Sequence, residues 1–107
     1  MDNVHLVINL RHKDQFIRTC WFNRTLKVQD IKEFTKYKLY NHVEIPIEND
    51  QEMMEFCHSH QEYYKLYFTR IITIGGKEFL EATCPSQEDQ ERILQNDIRR
   101  KWINMIN

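Results

Sequence analysis

The order of apolar segments limits this chain more than any single motif. Two β-prone runs open it, at residues 4–10 and 16–22. A helical stretch at 28–39 comes next, then a lone strand at 43–47, a second helix at 51–60 and a β-rich run at 64–74. A return strand at 77–84 and a helix opened by Pro85 and Ser86 follow. Elements in this uneven order pack as an α+β domain rather than as a bundle or a sandwich. The expectation is one domain over residues 1–107, with a mixed sheet of about five or six strands and three helices.

Local signals set the boundaries. Leu6, Ile8 and Leu10 alternate onto one face of the first strand. Residues 11–15 lack glycine, so they read as a loop of roughly five residues rather than a tight two-residue turn. Val28, Ile31, Phe34, Thr35 and Leu39 recur at helical spacing. Pro46 has no N–H to give a ladder, which makes 43–47 an edge strand or ends it there. Asn49 or Asp50 can cap the second helix, whose apolar stripe is Met53, Met54, Phe56, Cys57 and His60. Read as a strand, residues 64–68 send Tyr64, Leu66 and Phe68 to one face and Lys65 and Tyr67 to the other. Gly75-Gly76 signals a hairpin turn. Ser86 with Asp89 forms a capping box in which aspartate takes the usual glutamate position. Leu94, Ile98, Trp102 and Met105 make one stripe of the last helix, and Arg99, Arg100 and Lys101 complement its dipole.

Composition excludes several function classes. A chain of 107 residues can bury a core without disulfides or metals. It carries only 2 glycines, little for the close backbone approach that phosphate and oxyanion loops need. The net charge of −1 argues against a dedicated nucleic-acid binder. No apolar run reaches the ~20 residues of a membrane span. The first residues lack the basic start and apolar core of a signal peptide. Three widely spaced cysteines cannot complete a disulfide framework, which fits a reducing compartment, cytoplasmic or nuclear.

Catalytic and metal chemistry finds little support. Cys57-His58-Ser59-His60 is the densest group of metal-ligand types, but consecutive helical residues point about 100° apart. Cys57 and His60 could share an ion at i and i+3 only if distant residues completed the site. The plainer alternative is that both flank the core while His58 is solvated. No cysteine sits beside an activating base or oxyanion loop, and Cys20 reads as core. The expectation is therefore no enzyme, no cofactor and no metal. Tyr63, Tyr64, Tyr67 and Phe68 with Lys65 and Arg70 could stack bases on a sheet, but the glycine-aromatic pattern of RNA-recognition strands is missing.

Residues 4–70 resemble a PB1 domain, closest to those of MEK-kinase-type proteins. The likeness rests on Leu10-Arg11-His12-Lys13 followed by the strand through Phe22, and on Leu26-Lys27-Val28-Gln29-Asp30-Ile31 entering a helix. It continues through Val43-Glu44-Ile45-Pro46-Ile47-Glu48-Asn49-Asp50-Gln51-Glu52-Met53 to a closing strand at 64–68. Asn9 stands where one class of the family carries a lysine, and Glu44, Glu48, Asp50 and Glu52 are sparser than the family's acidic loop. The resemblance implies a ubiquitin-like β-grasp core over 4–74, with the hairpin return and C-terminal helix of 75–107 added to it. A ferredoxin-like or pleckstrin-like arrangement is the alternative. The function expected is non-catalytic protein–protein interaction, with a foreign protein or by self-association. Arg11, Lys13, Arg18 and Lys27 would form a basic hairpin face, and Glu48, Asp50 and Glu52 an acidic one. Copies would then pair head to tail, with Trp102 docking from an apolar C-terminal helix. Two rivals are a small viral or phage-type regulator that inhibits a host protein, and a nucleic-acid-associated protein using the tyrosine-rich strand.

Overall fold

The computed structural model describes residues 5–22, 28–97 and 101–104, and the features below belong to those residues. The chain is a small α+β protein of five strands and three helices. In order they are β1 (His5–His12), β2 (Gln15–Phe22), α1 (Val28–Thr35), β3 (Lys38–His42), α2 (Asp50–Tyr64), β4 (Phe68–Ile74), β5 (Lys77–Thr83) and α3 (Gln87–Asn96). The expected mixed sheet is instead two antiparallel ones: β1 with β2, and β3-β5-β4.

The three-stranded sheet carries the core. Its register aligns Leu39 and Thr69 with Ala82, and Asn41 and Ile71 with Leu80, so these side chains share the face toward α2. Leu39, Leu80 and Ala82 reach zero exposure there and cluster with Cys57, Leu66, Cys84, Ile93 and Trp102. Thr69 adds a polar tie, its hydroxyl donating to the Cys57 carbonyl at 2.7 Å. Burying a leucine of this kind contributes about 2–3 kcal/mol. On the opposite face Glu81 lies between Arg70, at 2.8 Å, and Lys38, at 3.5 Å.

Four boundaries differ from the sequence reading. The first helix stops at Thr35, and Leu39 is a core residue of β3 rather than the end of a helical stripe. The i+4 spacing from Thr35 to Leu39 was accidental, because β3 must run beside β5 to pair its backbone. Residues 43–47 form no strand, although Val43 still donates its N–H to Glu78 at 2.9 Å. Residues 64–67 are not a strand either. Lys65, at φ 56°, closes α2 in a left-handed cap whose N–H reaches Gln61 and Glu62.

The fourth is at the C-terminus. α3 ends at Asn96, so Trp102 does not continue a helical stripe from Leu94. Ile98, Arg99, Arg100 and Met105 lie outside the described residues. The chain instead runs back along the sheet, where Ile103 exchanges both backbone hydrogen bonds with Tyr40, at 2.7 and 2.9 Å. Trp102 beside it is buried. Its indole N–H donates to Asp97 at 2.9 Å, a carboxylate that the Tyr64 hydroxyl also engages. Other local signals act where the sequence places them. Asn49 caps α2, Ser86 and Asp89 bond reciprocally at the start of α3, and Gly75 and Gly76 turn the β4–β5 hairpin with φ of 58° and 79°.

Candidate interaction surface

The β1–β2 hairpin is the region the core leaves over. Its turn is tighter than the sequence suggests. His12 pairs with Gln15, so only Lys13 and Asp14 span it, with φ of 47° and 65°. Two successive positive φ values are what a two-residue turn needs to match strand twist. Asp tolerates that region, while Lys pays a steric cost, which is why the absence of glycine concealed the turn.

The register then fixes two faces. Val7, Asn9 and Arg11 oppose Cys20, Arg18 and Phe16 on the inner one. Leu6, Ile8 and Leu10 oppose Trp21, Thr19 and Ile17 on the outer one.

The inner face is fastened by a buried guanidinium. Arg18 Nε donates to the Thr69 carbonyl at 2.6 Å, Nη1 to Asn9 Oδ1 at 2.9 Å and Nη2 to Gln61 Oε1 at 2.8 Å. Its charge lies 5.6 Å from the centre of the Phe68 ring. These partners join β1, β2, α2 and β4 at one side chain, and all of them are neutral. Burial lowers the Arg18 pKa from its ordinary value, with the Cys57 and Cys20 thiols acting the other way. A cation removed from water keeps its position through such directional acceptors. β2 lies beside β4 at this point, although no backbone ladder joins them among the described residues.

The outer face has no such cover. Leu6 is 62% exposed, Trp21 61% and Leu10 39%, with half-buried Ile8 and Ile17 between them. Apolar side chains this exposed and this contiguous, in so small a protein, mark an interaction surface more often than an accident of composition. The sequence pattern revealed the alternation of Leu6, Ile8 and Leu10. It left open which way this face turns, and the Arg18 network is what turns it outward. Below the hairpin a groove of about 500 Å³ separates β1 from α2, lined by Leu6, Val7, Asn9, Met54, Glu55 and His58 among others.

The residues proposed from sequence do not gather into one surface. Arg11 and Asp50, expected on separate charged faces, bind each other within the chain at 2.8 Å. Lys13 is exposed at the turn. Arg18 and Trp102 are each 7% exposed and act inside the molecule. Glu48 and Glu52 are exposed at the start of α2, where the Glu48 N–H donates to the Glu52 carboxylate at 3.4 Å. Lys27 lies outside the described residues.

The thiols and histidines hold positions in keeping with packing. Cys57 and His60 are buried and His58 is exposed. Burial pushes the Cys20 and Cys57 thiols up to about 11 and Cys84 to about 12, away from nucleophilic thiolates. Among the described residues no group of three or more His, Cys, Asp or Glu is placed to hold a metal ion, and no helix is long and apolar enough to cross a membrane. The tyrosines expected on one strand are split between the end of α2 and the loop after it, with Tyr63 alone strongly exposed.

Comparison with protein-family models, curated proteins and solved structures gives no match.

Proposed function

We propose that this chain is a non-catalytic protein-interaction module whose docking surface is the outer face of the β1–β2 hairpin. The observation that carries this reading is the contiguous exposure of Leu6, Leu10 and Trp21, flanking Ile8 and Ile17, on a hairpin whose other face is fixed by Arg18. A rigid sheet face bearing an exposed tryptophan is the kind of anchor that protein interfaces favour. The basic and acidic groups are then a polar rim, with the Arg11–Asp50 pair bracing the hairpin rather than awaiting a partner.

A β-grasp-derived framework is consistent with this reading and is proposed with it. Its support is the order of two strands, helix, strand and helix. In that framework the PB1 resemblance would extend to the role of the first strands as a partner surface. The site would be intracellular, in the cytoplasm or nucleus. An inhibitor of a host protein would use the same face, so that reading differs only in the partner.

Photo-crosslinking tests the proposal. A benzophenone amino acid at Trp21, and as control at Glu62 on α2, is irradiated in an extract of the source cells with the full chain present. Protein adducts concentrated at position 21 are expected. Equal labelling at both positions, or none at 21, removes the hairpin face as the docking surface.

A further inference from the structure

β1 offers more than an apolar face, because among the described residues nothing pairs with its outer backbone edge. It pairs only with β2, and no hydrogen bond from any other described element reaches its main chain. The opposite margin of the molecule is treated differently. There the Tyr40 main chain is paired with Ile103, and the Lys38 carbonyl accepts a bond from the Gln90 side chain at 2.9 Å. Natural edge strands are usually blunted by proline, lysine or a bulge. β1 has no lysine, no proline and an unbroken register from His5 to His12.

The sequence of β1 is also self-complementary. The two-residue turn makes His12–Gln15 the closing pair, and bonded and non-bonded pairs alternate from there. That parity points the N–H and C=O groups of His5, Val7, Asn9 and Arg11 outward. An antiparallel second copy related by a two-fold axis through Ile8 sets Val7 against Asn9 and Arg11 against the backbone of His5. Every outward group then meets an outward group. The same register puts Leu6 opposite Leu10 and Ile8 opposite itself, all in the close non-bonded pairs where side chains touch best. Moving the axis to Asn9 sets Leu6 against His12. Moving it to Val7 carries Leu10 past the described end of the strand. Only the Ile8 register joins the full hydrogen-bonding edge to a wholly apolar row.

We propose that a second copy of this chain pairs edge to edge at β1, centred on Ile8, to give a continuous four-stranded antiparallel sheet. This names the partner of the surface described under Proposed function and rests on that reading. The strand is short, about 27 Å for eight residues, so the contact belongs to the smaller interfaces and the association is concentration-dependent. It is isologous, so it closes at two copies. The paired sheet carries Leu6, Ile8, Leu10 and Trp21 of both chains on one side.

Sedimentation velocity of the full chain from about 10 to about 500 µM, at low salt and at about 0.5 M salt, is the test. A monomer–dimer equilibrium that survives salt is expected. Ile8→Lys places two like charges on the axis and weakens it at least about tenfold, as do Leu6→Lys and Leu10→Glu singly. The double variant L6K/L10E pairs opposite charges twice across the axis and recovers affinity to within about threefold of the parent. Circular dichroism of each variant confirms the fold, and Leu6, the most exposed of the three, is the safest to change. A dimer lost in salt, or one indifferent to Ile8 and Leu6, overturns the edge pairing. So does single and double variants weakening alike. A monomer at every concentration also overturns it. If position 21 still captures a foreign protein, the hairpin face keeps its role with another occupant.

Discussion

The three-stranded half and the hairpin half are held by different forces. In the first, Leu39, Cys57, Leu80, Ala82 and Cys84 lose all contact with water. In the second, the one buried side chain among those described is a charged one, Arg18. Apolar burial is non-directional and accumulates with area. Hydrogen bonds to a guanidinium demand fixed distances and angles, and much of what they contribute offsets the cost of burying the charge. The hairpin is therefore sharply positioned and lightly held, and it should open at lower free energy than the rest.

Substitutions and solution measurements sharpen or break that contrast. The largest effect belongs to the apolar half. Trp102→Ala removes a buried ring, its indole hydrogen bond to Asp97 and its edge contact with Tyr64, and should cost about 3–5 kcal/mol in urea unfolding. A cost below about 1 kcal/mol would remove the C-terminal return from the core. Arg18→Met should cost about 2–3 kcal/mol, by stranding the Thr69 carbonyl, Asn9 and Gln61. Its hydrogen-exchange signature is selective, with β1 and β2 amides losing protection while β4 and β5 keep theirs. Uniform loss would show that the halves open together.

The cysteines report the same division chemically. At pH 8 Cys20 should alkylate at least about tenfold faster than Cys57 and Cys84, a difference of about 1.4 kcal/mol in opening. Burial holds these thiols protonated at about 11, 11 and 12, so unfolded chains deprotonate first as pH rises past the ordinary thiol range. Stability should be insensitive to thiol ionisation below about pH 8.5 and fall from there toward pH 11, as urea midpoints across that range would reveal. K13N combined with D14G should add about 1 kcal/mol by relieving positive φ at Lys13 and Asp14. An unchanged midpoint would mean the turn stores no strain. Trp21→Thr should shift stability by less than about 1 kcal/mol, because the ring's exposure leaves it only its cross-strand pair with Leu6. A larger loss would make the outer face structural.

Legibility in the sequence followed how local each determinant was. Gly75-Gly76, Asn49 and the Ser86–Asp89 pair act within a few residues and were readable. The order of elements was readable for the same reason, apart from the strand placed at 43–47 instead of 38–42. Leu39 fitted a helical stripe equally well, and only pairing with β5 decides between the two. The orientation of the hairpin was out of reach. Alternation shows that Leu6, Ile8 and Leu10 share a side, but which side is buried depends on Arg18 meeting Thr69 and Gln61 far along the chain. The candidate surface was thus half visible, its residues recognisable and its direction not.

The return of the chain at Ile103 has a consequence for assembly. A molecule with one open β margin has a valence of one and stops at a pair, whereas one with two different margins can add copies without end. On the β1 pairing proposed above, Ile103 would hold the protein at the lower valence by occupying Tyr40. A chain cut after Asn96 would lose that cover together with Trp102, and its expected product is a growing filament rather than a weaker dimer.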